Sequence, residues 1–233
     1  MKKIILILCA ICVIATNNNA FAESPTPKKK AISEGTEWSN MWMVSTNNHD
    51  VPRVLIMGDS HVERYYQVVN AKIGKKALCC KFTTSRSLGD PSLIAQLKAL
   101  FFSYKFDVIC FNNGLHGTDY SDKQYSNDIP AVYKLFKKQN RNVKIIWVNT
   151  TARRVGHQLN DFDQLNNGVI NRNKAVAEFT TSKNIPLVDF YTPSITNLDY
   201  YDTDGIHFSK KGVEEQARLI AVELEHALTE IKK

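Results

Sequence analysis

Cysteine is scarce in this sequence, and metal-ligand spacing is missing. Five cysteines occur in 233 residues, and two of them, Cys9 and Cys12, fall in the first apolar segment. Cys79, Cys80 and Cys110 remain, too few and odd in number for an exported domain braced by disulfides. All three lie in apolar, strand-like runs, which predicts buried free thiols; a single bridge from Cys110 to one of the pair is the alternative. No cysteine or histidine cluster is spaced for a metal, so no metal or cofactor is expected. Internal repeats and low-complexity tracts are absent, which excludes solenoids and fibrous chains. No basic stripe is interleaved with aromatics, which argues against a nucleic-acid partner.

Long hydrophobic runs are lacking as well. The only candidate spans 4–15, too short for a membrane helix, and Asn17-Asn18-Asn19 follows at once. Lys2 and Lys3 precede it and Ala20-Phe21-Ala22 ends the segment with a small-x-small cleavage pattern, so 1–22 reads as a secretory signal peptide. Neither Cys9 nor Cys12 lies where the apolar run ends, which speaks against a lipid anchor. The expectation is an exported protein, periplasmic or secreted, beginning near Glu23 and without stable membrane insertion. Its formal charge of +7 falls to +5 with the leader, as 30 basic residues become 28 against 23 acidic ones. Part of that excess is Lys28-Lys29-Lys30, in a Pro- and Ser-bearing stretch that reads as a solvated tether. Residues 23–50 are thus a linker and N-terminal arm carrying Trp38 and Trp42, and 51–233 one globular domain.

What the domain does have is regular alternation. Apolar β-rich runs occur at 53–57, 76–82, 107–111, 143–149 and 185–190. Amphipathic stretches at helical spacing cover 61–73, 91–104, 123–139, 163–182 and 209–231. Strands apolar throughout, alternating with helices, predict a parallel sheet covered on both faces. The fold class is therefore α/β: a three-layer, doubly wound sandwich with a five-stranded parallel sheet in flavodoxin-like order. In such sheets sites form beyond the carboxyl ends of the strands. Those ends lead into Gly58-Asp59-Ser60-His61, Ser87-Leu88-Gly89-Asp90, Asn112-Asn113-Gly114-Leu115-His116-Gly117, Thr150-Thr151-Ala152-Arg153-Arg154 and Asp204-Gly205-Ile206-His207.

Ser60, at a strand-to-helix turn, has two readings: helix cap or nucleophile. A serine becomes a nucleophile only if a base takes its proton and a third group orients that base. His207 can supply the base and Asp204, three residues earlier, the orienting carboxylate. Taken alone, "DGIHFSKKG" is equally well a turn into the last helix with Ser209 as its cap. Together with the loops that converge on the same rim, the catalytic reading dominates.

On these residues the chain resembles the SGNH (GDSL-type) hydrolases over roughly Val51 to the C-terminus. Gly58-Asp59-Ser60 matches the first block of that family and Asp204-Gly205-Ile206-His207 the last, and Gly89 falls where the family places its oxyanion glycine. The resemblance implies that Ser60 attacks an ester carbonyl while His207 serves as base and then acid. It also implies that the Ser60 amide, the Gly89 amide and an asparagine side chain hold the oxyanion. The third block departs from the usual Gly-x-Asn-Asp, because "FNNGLHG" puts His116 at the asparagine position. A neutral imidazole N–H can donate as an amide does, so His116 is the expected donor, with Asn112 as the alternative. The Asn-x-Gly-Leu-His form resembles an exported bacterial branch.

Other candidates carry less. His61 is expected to cap the turn or line the pocket, because adjacent residues on a tight turn point apart. Arg64 is expected to face the pocket or a carboxylate. Arg153 and Arg154 sit at the rim, either as a solvated loop or as partners for an anionic group. The resulting expectation is an exported serine esterase acting on O-acyl, above all O-acetyl, esters of a small molecule or glycan. Alternatives of the same fold are a lysophospholipase, arylesterase, thioesterase or O-acyltransferase, or a non-catalytic glycan-binding module. No long apolar lid segment is present, which argues against long acyl chains.

Overall fold

The computed structural model describes residues 33–117 and 120–231. The expected signal peptide and the Lys28-Lys29-Lys30 tether lie outside the described residues. In chain order the elements are β1 (Ser39–Trp42), β2 (Arg53–Gly58), α1 (Ser60–Ile73), β3 (Leu78–Thr84), α2 (Pro91–Ser103), β4 (Val108–Asn112), α3 (Asp122–Gln139) and β5 (Lys144–Val148). There follow β6 (Arg154–Val155), β7 (Gln158–Phe162), α4 (Asn166–Lys183), β8 (Leu187–Val188), α5 (Tyr191–Thr196) and α6 (Lys210–Thr229).

The main sheet runs β1-β3-β2-β4-β5-β8. Its five parallel strands, counted along the chain, have the order 2-1-3-4-5 of doubly wound sheets. The central strands β2 and β4 are buried along their whole length, as strands covered on both faces must be. One face packs Val62, Tyr65 and Val69 of α1 and Ala217, Ile220 and Leu224 of α6 over Val54, Ile56 and Cys110. The other packs residues of α2, α3 and α4 over Leu55, Met57, Phe111 and Trp147. Cys79, Cys80 and Cys110 are buried and free. Burial pushes the Cys79 thiol up to about 12, which makes it an inert packing group.

Three features depart from the expected architecture. The sheet has a sixth strand: β1, within the arm, pairs antiparallel with the outer edge of β3, Ser39 opposite Thr84 and Trp42 opposite Lys81. All four β1 residues are exposed, so no buried alternation marked the strand in the sequence. The last parallel strand shrinks to Leu187–Val188. Pro186 lacks the N–H to extend the ladder, and Asp189 turns the chain by accepting hydrogen bonds from the Tyr191 and Thr192 amides. Finally, β6 and β7 form a separate antiparallel hairpin after β5.

Candidate active site

The first turn of α1 separates capping from reactivity. Asp59 is the cap residue, and its carboxylate accepts from the His61 amide at 3.0 Å. Ser60 is the first helical residue, and its hydroxyl stands 2.8 Å from Nε2 of His207. Nδ1 of His207 lies 2.6 Å from Oδ2 of Asp204. The other Asp204 oxygen accepts from the backbone amides of Ile206 and His207, at 2.9 and 2.8 Å. Partial burial raises the Asp204 carboxyl, but the His207 ring and these two amides outweigh it and bring it down to about 2. Asp204 is therefore ionised at neutral pH, and it orients His207 with one oxygen while the other fixes the loop.

The loop bearing Asp204 and His207 is braced on three sides. Gly205 has φ +72°, and a Cβ there would lie 2.4 Å from the Arg154 carbonyl, so only glycine fits. The Gly205 carbonyl accepts from the Arg154 amide, and the Thr203 carbonyl from that of His157, which ties the loop to the β6–β7 hairpin. Arg64 of α1 donates to Asp202 and to the Phe208 carbonyl, at 3.2 and 3.1 Å. Ser209 caps α6 through the Gly212 amide, so the segment both begins a helix and carries His207.

His61 does not line the surface. It is fully buried, its ring centroid 5.7 Å from that of His207 and edge-on to Phe208. The Gln216 amide approaches its Nδ1 at 3.3 Å, and burial lowers its pKa, keeping the ring neutral. Arg154 is not a rim cation either. Its buried guanidinium donates to the carbonyls of Leu159 and Ile195 and lies over the Phe162 and Tyr201 rings. Arg153 pairs with Asp163 at 3.6 Å. His157 is exposed, with φ +61°.

The loops after β3 and β4 lie at the same end of the sheet. Gly89 is buried in the turn closed by the Asp90 amide on the Ser87 carbonyl. A side chain there would overlap the Tyr120 hydroxyl at 1.6 Å. In the third block both expected oxyanion side chains have partners within the fold. Asn112 donates its amide to the carbonyls of Val148 and Asn149, at 3.1 and 3.0 Å, so its hydrogens are spent inside the fold. The Nδ1 of His116 meets Oε2 of Glu34 at 2.9 Å, and the other Glu34 oxygen accepts from the Gly117 amide at 2.8 Å. A carboxylate accepts, so the His116 tautomer that bonds Glu34 carries a hydrogen on Nδ1.

Sequence reasoning missed Glu34 and Arg172. Arg172 of α4 is buried and donates to four carbonyls of the third block, those of Gly114, His116, Gly117 and Tyr120. It reads in sequence as one polar position of an amphipathic helix, and Glu34 as one charge in a polar arm.

No family profile and no curated protein matches the chain. Solved structures do. A GDSL-like lipase from Bacteroides thetaiotaomicron VPI-5482 superposes with TM-score 0.60 at 16% identity, over 76% of this chain and 89% of that one. An acetyl xylan esterase gives 0.60 at 14% identity, over 74% and 99%. A carbohydrate esterase family 3 protein from Talaromyces cellulolyticus gives 0.61 at 14%, over 78% and 100%. Doubly wound sheet, crossover helices and rim loops together make this the fold of the SGNH, or GDSL-type, hydrolases.

Proposed function

We propose that the protein is a serine ester hydrolase with Ser60 as nucleophile, His207 as base and Asp204 as the group that orients it. The observation that carries this is the continuous chain from Ser60 Oγ to His207 Nε2 at 2.8 Å and from Nδ1 to Asp204 at 2.6 Å. In this mechanism Oγ gives its proton to Nε2 as it attacks the ester carbonyl carbon. The tetrahedral oxyanion is held by backbone N–H groups, with the Ser60 amide at the start of α1 and the Gly89 amide as the proposed donors. Collapse breaks the carbonyl–alkoxide bond, and the alcohol leaves with the proton from His207. Water then attacks the acyl-serine and gives a proton to the same nitrogen. Collapse breaks the acyl–Oγ bond, Ser60 Oγ takes that proton back and the acid is released.

The proposed substrates are short acyl esters, O-acetyl groups on carbohydrate above all, handled outside the cytoplasm. The likeness to an acetyl xylan esterase and a carbohydrate esterase supports that class. A signal-like N-terminus supports export. Among the described residues no helix is long and apolar enough to cross a membrane. Incubating the purified protein with p-nitrophenyl esters of graded length and with acetylated polysaccharides tests the proposal. Short-ester hydrolysis and acetate release are expected. An inert protein whose Ser60 resists a fluorophosphonate probe overturns it.

A further inference from the structure

The rim carries a second histidine–carboxylate pair built like the first. In both, Nδ1 faces a carboxylate, at 2.6 Å for His207 and Asp204 and at 2.9 Å for His116 and Glu34. In the first pair this leaves Nε2 aimed at Ser60. In the second, Nδ1 is taken by Glu34, and Nε2 is the ring's remaining polar atom. His116 follows β4, the strand beside β2, and β2 leads into Ser60, which His207 reaches from the loop before α6. β2 and β4 pair in register, Met57 opposite Phe111, and a Cβ on Gly58 would lie 3.2 Å from the Asn112 carbonyl.

His116 is held from two remote segments at once. Glu34 chelates its ring and the next amide, Trp38 sets its ring edge-on at 6.3 Å, and Arg172 grips the carbonyls on either side. The side chain nevertheless keeps 20% of its surface exposed. That is a fixed, partly exposed polar side chain.

Building on the hydrolase reading, we propose that the Glu34–His116 pair is a recognition site for a hydroxyl group on the alcohol side of the ester. The tautomer with its hydrogen on Nδ1, facing Glu34, has a lone pair at Nε2, which accepts from O–H and cannot donate to an oxyanion. The ligand class is a polyol ester, in which a free hydroxyl neighbours the acylated one. His116 touches the substrate, and Glu34 is a positioning residue that fixes the tautomer from the N-terminal arm. Such a contact discriminates, because a polar group left unpaired rejects an analogue that lacks the hydroxyl.

The test compares two acetates in His116→Ala, Glu34→Ala and the double variant: acetylated xylan, rich in free hydroxyls, and p-nitrophenyl acetate, which has none. Loss of one hydrogen bond predicts a roughly tenfold fall in kcat/KM on xylan and a change of less than about threefold on the aryl ester. The double variant should match the singles, since the two residues act as one unit. His116→Gln, whose side-chain oxygen still accepts, should recover part of the xylan activity and guards against a folding artefact. An equal loss of kcat on both esters would make His116 an oxyanion donor and overturn the proposal. So would full activity on both, or a wild type that cleaves aryl acetate but no polyol acetate. Wild-type aryl esterase activity that disappears in Ser60→Ala tests the underlying reading separately. A wild type inert on every ester ends both.

Discussion

The Ser60 hydroxyl is free for His207 because Asp59 has taken over the capping of α1. Asp59 accepts from the His61 amide at 3.0 Å, while Ser60 Oγ stands 2.8 Å from His207 Nε2. Ser60→Ala should therefore abolish ester hydrolysis, by roughly 10⁴–10⁶ in kcat, and leave the melting temperature nearly unchanged. Steady-state kinetics beside thermal unfolding check this. Retained activity, or activity lost only through melting, refutes the role of Ser60.

His207→Ala should match that loss, and the double variant should be no worse, because nucleophile and base act as a unit. Asp204→Asn should cost about 10²-fold less than deleting the histidine, since it misorients the ring rather than removing it. Titrating kcat in the three variants decides it. Strictly additive losses would show that the residues do not act together.

Buried His61 makes stability depend on pH. Burial lowers its folded pKa, while in the unfolded chain it takes a proton near the ordinary value of about 6.5. Below that pH the unfolded state binds more protons, so stability is full above about 6.5 and declines as pH falls beneath it. Urea midpoints at pH 7.5 and 5.5 should differ less in His61→Leu than in wild type. An unchanged difference means that other groups set the acid sensitivity.

Arg172 should prove structural and indispensable. Replacing it with lysine keeps the charge but loses the fork that reaches four carbonyls. Leaving several buried carbonyls without donors predicts a cost on the order of 3 kcal/mol in chemical denaturation. A loss below about 1 kcal/mol would mean that solvent or other donors replace it.

The parallel strands were legible because they are apolar throughout, and the rim loops because parallel topology gathers strand ends at one edge. What stayed hidden was exposed, or was held by contacts between segments remote in sequence. β1 is exposed on every residue, so pairing with β3 rather than burial creates it. The hairpin after β5 is mostly polar and exposed in its second strand. Glu34 meets His116 across 82 positions, a separation at which spacing carries no signal. His116 was legible as a rim residue, but its partner Glu34 was not.

The proposed nucleophile and base come from opposite ends of the domain, and they meet where α1 and α6 lie side by side on one face of the sheet. The order of synthesis therefore acts as a safety catch. Until the final helix has left the ribosome and docked, the nascent chain holds an exposed serine with no base to activate it. Two fragments divided in the exposed stretch before Tyr200 should regain a working site only on reassembly, a ready-made split reporter.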